Sequence, residues 1–177
     1  MKVRLLLTAC LFALLSPALH AQLGLYGNFT TVNLKMSGSG GWINGGTFGA
    51  YLAHGHLALL NVGVDARGTF ASGGSTSFDS GSIGPRLAFN THVLPFLPYV
   101  EATAGVGHAN FIGSSEVTKF EYQFLGGIDY TVLPRLDWRV VEFSYGGLSG
   151  LNGNSIHPQT ISTGIVLRVP RIWAVIP

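Results

Sequence analysis

Charge is what this sequence has least of. Ten of its 177 residues are Lys or Arg and eight are Asp or Glu, 10% in all, where a soluble domain carries about 25%. So few charges leave most of the surface of an ordinary water-soluble domain unsolvated. Cysteine is nearly absent. Cys10 stands alone, which excludes an internal disulfide and any site built from several thiolates. No stretch approaches 18 unbroken apolar residues, so no transmembrane helix is expected. Basic residues form no cluster, which removes the electrostatic footprint of nucleic-acid binding. The glycine-rich runs precede no strand-to-helix unit, so a nucleotide-binding loop has no support.

What the sequence does have is hydrophobic residues, 47%, and 25 glycines with no collagen period. Glycine at that level suits tight turns and closely packed strands. The start reads as an export signal. Lys2 and Arg4 precede an apolar run over 5–15 that only Thr8 interrupts, Pro17 breaks it, and "LHAQ" offers cleavage after Ala21. The run is too short to span a membrane as a helix. "LTAC" at 7–10 resembles a lipoprotein box, but the apolar run continues past Cys10. The expected organisation is a signal over 1–21, a single barrel domain over 22–170 and a short tail over 171–177. Removal of the signal takes Lys2, Arg4 and Cys10 with it and leaves eight basic against eight acidic residues.

Beyond the signal, apolar and polar residues alternate with period two, the mark of strands with two different faces. Eight such segments are expected, at 24–36, 42–53, 60–70, 77–90, 99–109, 119–132, 137–147 and 159–169. "KFEYQFLGGIDYTV" (119–132) is the clearest, with Phe120, Tyr122, Phe124, Ile128 and Tyr130 on one face and Lys119, Glu121, Gln123, Gly127 and Asp129 on the other. The first segment's faces do not separate. Pro85 predicts a local irregularity in the fourth, because proline donates nothing to the ladder. Arg139 falls on the apolar parity of the seventh and is expected near a strand end or beside a bulge. "HGH" at 54–56 reads as a tight turn.

Charge placement then separates two architectures. Asp65, Arg67, Arg86, Glu101, Lys119, Glu121, Asp129, Glu142 and Arg168 all share the polar parity, whose other members are mostly Gly, Ser, Thr and Ala. A soluble exported barrel with an apolar interior, binding an apolar ligand, would turn that face to water, and it would solvate poorly. A membrane barrel turns it into a narrow lumen that side chains fill. The almost charge-free opposite face then avoids the roughly 2–4 kcal/mol cost of charge facing mid-bilayer lipid. The expected fold is all-β, an eight-stranded antiparallel up-and-down transmembrane β-barrel, in which every strand's backbone is satisfied by closure.

The signal, the eight amphipathic strands, "INGGTFGAYL", "KFEYQFLGGIDY" and the closing "STGIVLRV" resemble the small outer-membrane barrels of the OmpA/OmpX type, over essentially the whole chain after residue 21. Ser162, Gly164, Leu167 and Val169 resemble the last-strand signal read by the barrel-assembly machinery, although the chain continues through "PRIWAVIP" where such proteins usually stop at an aromatic. The resemblance implies an outer-membrane location, contact with outer-membrane lipid and the assembly machinery, and a monomer without cofactor.

For the nine lumen charges the expectation is a paired polar network, structural or, alternatively, the gate of a narrow pore. Some barrels of this kind modify lipid A, but His108 has no Ser two residues on, and Ser155 and His157 lack an evident orienting acid. No catalytic or metal site is expected. His54 and His56 alone are a weak metal hint. Trp42, Phe70, Phe111 and Trp138 suit the aromatic girdles of a membrane barrel. Outer loops are expected near 37–41, 71–76, 111–116 and 147–158.

Overall fold

The computed structural model describes residues 22–35, 41–57, 59–74, 76–89, 94–110, 117–149 and 156–169. The signal, the tail, Phe111, Ser155 and the side chains of His54 and His56 lie outside the described residues.

Alternation drives every element. Eight strands follow one another: β1 (Gln22–Lys35), β2 (Trp42–Leu57), β3 (Leu60–Gly73), β4 (Thr76–Phe89), β5 (Phe96–Asn110), β6 (Val117–Leu133), β7 (Leu136–Ser149) and β8 (His157–Val169). Each pairs antiparallel with its sequence neighbours, and β8 closes on β1 from Leu23–Val169 to Lys35–His157. The strands run to 13 residues in β8 and 17 in β6. That exceeds the roughly 9–11 residues a tilted strand needs to cross a bilayer, so the strands project beyond an apolar layer. Several therefore continue through stretches expected as loops. β3 runs to Gly73, and Gly74 turns the chain with φ of 61°, a left-handed conformation that glycine adopts without penalty.

The faces settle which way the barrel is built. Outward-pointing Phe48 is 61% exposed and Phe124 62%, whereas Asp65, Glu121 and Arg139 are 0% exposed in the lumen. The arrangement with apolar faces inside is not adopted. Trp42 and Phe70 stand on the outer wall toward one end, and Trp138 toward the other. Gln22 and Val169 mark what is termed here the terminal end; the opposite one is the distal end. In β1, Tyr26, Asn28, Thr30, Val32 and Leu34 point inward.

Local irregularities have local causes. His54 and His56 do not form a turn. They lie within β2, where a bulge at Gly55 shifts the register against β3, and the turn follows near residue 59. At Pro85 the register with β5 is unbroken, but pairing lapses at Gly84 and Pro85 and resumes at Arg86–Glu101. A bulge in β7 sets Ile128 opposite Val141 but Asp129 opposite Arg139. The extra residue switches the parity, so Arg139 enters the lumen, as its place beside a bulge predicts.

Candidate functional site

The lumen is built in layers. Nearest the terminal end, Arg168 Nη2 donates to Asp137 Oδ1 at 2.6 Å and to Thr131 Oγ1 at 3.2 Å. Asp137, at the start of β7, was not among the expected site residues.

The next layer is a closed ring of alternating charge. Arg67 Nη2 meets Glu101 Oε2 at 2.7 Å. The other oxygen of Glu101 pairs with Arg86 Nη1. Arg86 Nη2 reaches Asp129 Oδ2 at 3.0 Å, and Arg139 Nε reaches Asp129 Oδ1 at 2.9 Å. Arg139 Nη1 lies 3.1 Å from Glu142 Oε2, and Glu142 Oε1 returns to Arg67 Nη1 at 3.0 Å. Asp65 hangs from the ring through Arg67 Nε at 2.9 Å. Three arginines thus face four carboxylates. Strands β3 to β7 supply them, because period two turns alternate residues of each strand to one axis.

Tyrosines pack the ring. The Arg86 guanidinium lies 3.7 Å from the centre of the Tyr99 ring and 4.4 Å from that of Tyr51. Arg139 lies 4.3 Å from Tyr26 and 4.8 Å from Tyr99. The hydroxyls of Tyr26 and Tyr99 donate to Asp65 at 2.8 Å and Glu142 at 2.6 Å. Arg67 lies farther off, 5.7 Å from the centre of Tyr26. Each guanidinium of the ring is therefore held by carboxylates and lies against a tyrosine ring, which compensates burial by both charge and cation–π attraction.

Beyond the ring comes a layer of hydroxyls. Thr30 bridges Thr47 at 2.8 Å and Ser162 at 2.9 Å, and Thr47 continues to Thr69 at 2.9 Å. Ser144–Thr160 and Ser82–Thr103 repeat the motif at 2.6 and 3.2 Å. Glu121 is buried in this region and accepts a hydrogen bond from Gln123. The distal end of the lumen is not polar, contrary to the expectation of a polar filling throughout. Val32, Leu34, Ile43, Phe78, Leu148 and Ile156 pack there into an apolar plug. The inward parity of β1 and β4 becomes apolar near their distal ends, and this is why the faces of β1 do not separate by composition.

Of the nine expected lumen residues, Asp65, Arg67, Arg86, Glu101, Asp129 and Glu142 come together in the ring and its pendant. Arg168 joins the separate pair with Asp137. Glu121 lies distal of the ring, and Lys119, half-buried two residues further along β6, lies toward the distal end. The expectation of one network therefore divides into a ring, a terminal pair and a distal set. Sequence parity missed Arg139 as a member and gave no special weight to Tyr26, Tyr51 and Tyr99. The signal for the tyrosines was available for two of them, since Tyr51 and Tyr99 share the parity of the charges. The two candidate histidines are on the outer wall. His157 stacks on Tyr145 with ring centres 5.9 Å apart, and His108 Nδ1 lies 3.0 Å from Thr118 Oγ1. Among the described residues, no group of three or more His, Cys, Asp or Glu could hold a metal ion.

No protein-family model matches the chain, and no curated protein matches it in sequence. Solved structures do. Neisserial surface protein A superposes with a TM-score of 0.62 at 20% identity, over 83% of this chain and 97% of that one. Ail, the attachment invasion locus protein of Yersinia pestis, gives 0.56 at 16% identity, over 84% and 97%. The N-terminal β-barrel domain of Pseudomonas aeruginosa OprF gives 0.51 at 12% identity, over 85% and 100%. The fold is that of the small eight-stranded outer-membrane barrels. Identities this low establish the architecture alone, so what the lumen does must be argued from its own residues.

Proposed function

We propose that the chain is an integral outer-membrane protein, exported by its N-terminal segment, whose filled barrel serves the envelope structurally and does not conduct. The observation that carries this reading is the inverted distribution of charge. An apolar wall faces outward, while the buried arginines and carboxylates of the ring close on one another across the lumen. Such a wall is stable only in lipid or detergent, and a closed barrel leaves no backbone edge unsatisfied there. Its partners are membrane lipid and the barrel-assembly machinery, and one chain completes the fold, so a monomer suffices.

Two seals of different chemistry block the lumen. The ion ring occupies the terminal half and the apolar plug the distal end, with the hydroxyl layer between. A narrow pore would require both to open. Residues 22–177, refolded in detergent, should migrate differently on a denaturing gel before and after boiling, and should precipitate when detergent is withdrawn. In planar bilayers the refolded protein should leave the baseline flat. A monodisperse protein without detergent would sink the membrane reading, and discrete openings above baseline would replace the structural role by a gated pore.

A further inference from the structure

Asp79 departs from the rule that the outer wall otherwise keeps. Among the described side chains it is the only charged one on the outward face of a strand. None of the ion pairs among the described residues reaches it. A carboxylate at the edge of an apolar wall is poorly solvated unless a cation meets it. By register Asp79 stands directly opposite His108 of β5, and His108 stands opposite Thr118 of β6. Its neighbour across the seam is thus a histidine, the commonest metal ligand among side chains.

The imidazole is already held. His108 Nδ1 lies 3.0 Å from Thr118 Oγ1. In the tautomer that donates the Nδ1 proton to this hydroxyl, Nε2 keeps its lone pair for a metal. A metal-ligating histidine almost always donates its other ring N–H to an oxygen, which fixes the tautomer and raises the basicity of the ligating nitrogen. Residues directly opposite on antiparallel strands have Cβ atoms about 4.5–5.5 Å apart. That separation suits one ion held about 2.0–2.2 Å from both an imidazole nitrogen and a carboxylate oxygen. The wall also leaves room. Asp79, His108 and Thr118 line a hollow of about 300 Å³, bordered by Phe70, Gly81 and Val106. A Cβ placed on Gly81 would meet nothing within 4 Å, so the surface beside Asp79 stays clear.

We propose that Asp79 and His108 bind a divalent transition-metal ion of the zinc type on the outer wall, toward the distal end, and that Thr118 positions the imidazole. The ligand pair selects the metal. Imidazole suits zinc, copper and nickel, whereas Ca²⁺ and Mg²⁺ are held through several oxygens, of which this site offers one carboxylate. Two protein ligands leave the other coordination positions to water or to an external anion, so the site is open in the sense that structural zinc sites are not. The site is independent of whether the lumen conducts.

The test titrates Zn²⁺ into the refolded, untagged barrel carrying isotope-labelled histidine and follows the imidazole nitrogens by NMR. The signals of His108 are identified by their loss in His108→Gln, which separates them from those of the other histidines. Nε2 of His108 should shift saturably with Zn²⁺, and Ca²⁺ and Mg²⁺ at the same concentrations should leave it in place. Thr118→Val should weaken Zn²⁺ binding about 10- to 100-fold, the usual cost of removing the group that supports a metal-bound histidine, and Thr118→Ser should restore it. Asp79→Asn should weaken binding at least as much as Thr118→Val. Each variant alters only the outer wall, so each should keep the gel shift on boiling. A His108 signal that ignores Zn²⁺, or one that responds undiminished in Asp79→Asn, overturns the proposal. An equal response to Ca²⁺ or Mg²⁺ would mean mere screening of the carboxylate and overturns it as well.

Discussion

Arg67 is the residue whose loss the lumen should tolerate least. It pairs with Asp65, Glu101 and Glu142 at 2.9, 2.7 and 3.0 Å. Replacing it with methionine keeps most of the stem volume and removes the charge. Glu101 would still have Arg86, and Glu142 would still have Arg139. Asp65 would keep only the hydroxyl of Tyr26, a fully buried carboxylate with no cation. Breaking a buried pair on one side costs about 3–5 kcal/mol, about two to three and a half decades in the folded-to-unfolded ratio. Arg139→Met removes two pairs, but its carboxylates, Asp129 and Glu142, each keep an arginine, so its cost should be smaller. The assay is reversible urea unfolding in detergent micelles, followed by the fluorescence of Trp42 and Trp138 on the outer wall. Asp65→Asn in the Arg67→Met background should recover at least about 1 kcal/mol, because it removes the stranded charge. If Arg67→Met falls within about 0.5 kcal/mol of the unmodified protein, the range of an ordinary surface substitution, the ring contributes nothing and the reasoning fails.

The other expectations follow from the same layers. Phe78→Ala, at a fully buried position of the plug, should cost about 3–5 kcal/mol in the same unfolding experiment and still give a flat conductance trace, because the ring continues to seal. Phe124→Arg on the outer wall should cost about 2–4 kcal/mol if that position faces mid-bilayer, whereas the same arginine at Trp42, near a strand end, should cost under about 1 kcal/mol; equal costs would mean that the apolar band is misplaced. Deleting Val140 removes the extra residue of the β7 bulge and leaves Arg139 inward, so the gel shift should survive. Deleting Val64 instead turns half of β3 inside out and should abolish it.

Most of the fold was legible because a strand's period is two and a membrane barrel needs each face pure. All eight strands lie where alternation places them, and charge parity alone gave the sense of the barrel. What parity could not see was any place where the period slips or the lumen changes character. Arg139 reads as outward until one extra residue in β7 shifts it. β1 reads as faceless because Val32 and Leu34 belong to a plug inside the lumen, while Thr31 and Asn33 lie outside near its distal end. His54 and His56 read as a turn because glycine between two polar residues signals a reversal, yet here it marks a bulge. Asp79 lies within the fourth expected segment, 77–90, but was assigned to neither face.

The ring also explains how such a chain finds one register. In water, a core of apolar side chains gains from burial almost wherever they point. In lipid the outer wall gains little by slipping, since Leu, Val and Phe are interchangeable against acyl chains. The lumen is different. A one-residue slip of β3 carries Arg67 and Asp65 into lipid, a penalty of several kcal/mol at the bilayer centre, and takes from Glu101 and Glu142 one of the two arginines that each of them holds. A two-residue slip keeps the parity but lifts Arg67 out of reach of two of its three partners, because successive inward residues stand about 6.6–6.8 Å apart along a strand. Shape alone would accept that slip, since Gly, Ser and Thr fill either register. Charge does not, and the expense of burying these arginines is what makes the native pairing of β3 through β7 the one arrangement in which each of them is satisfied.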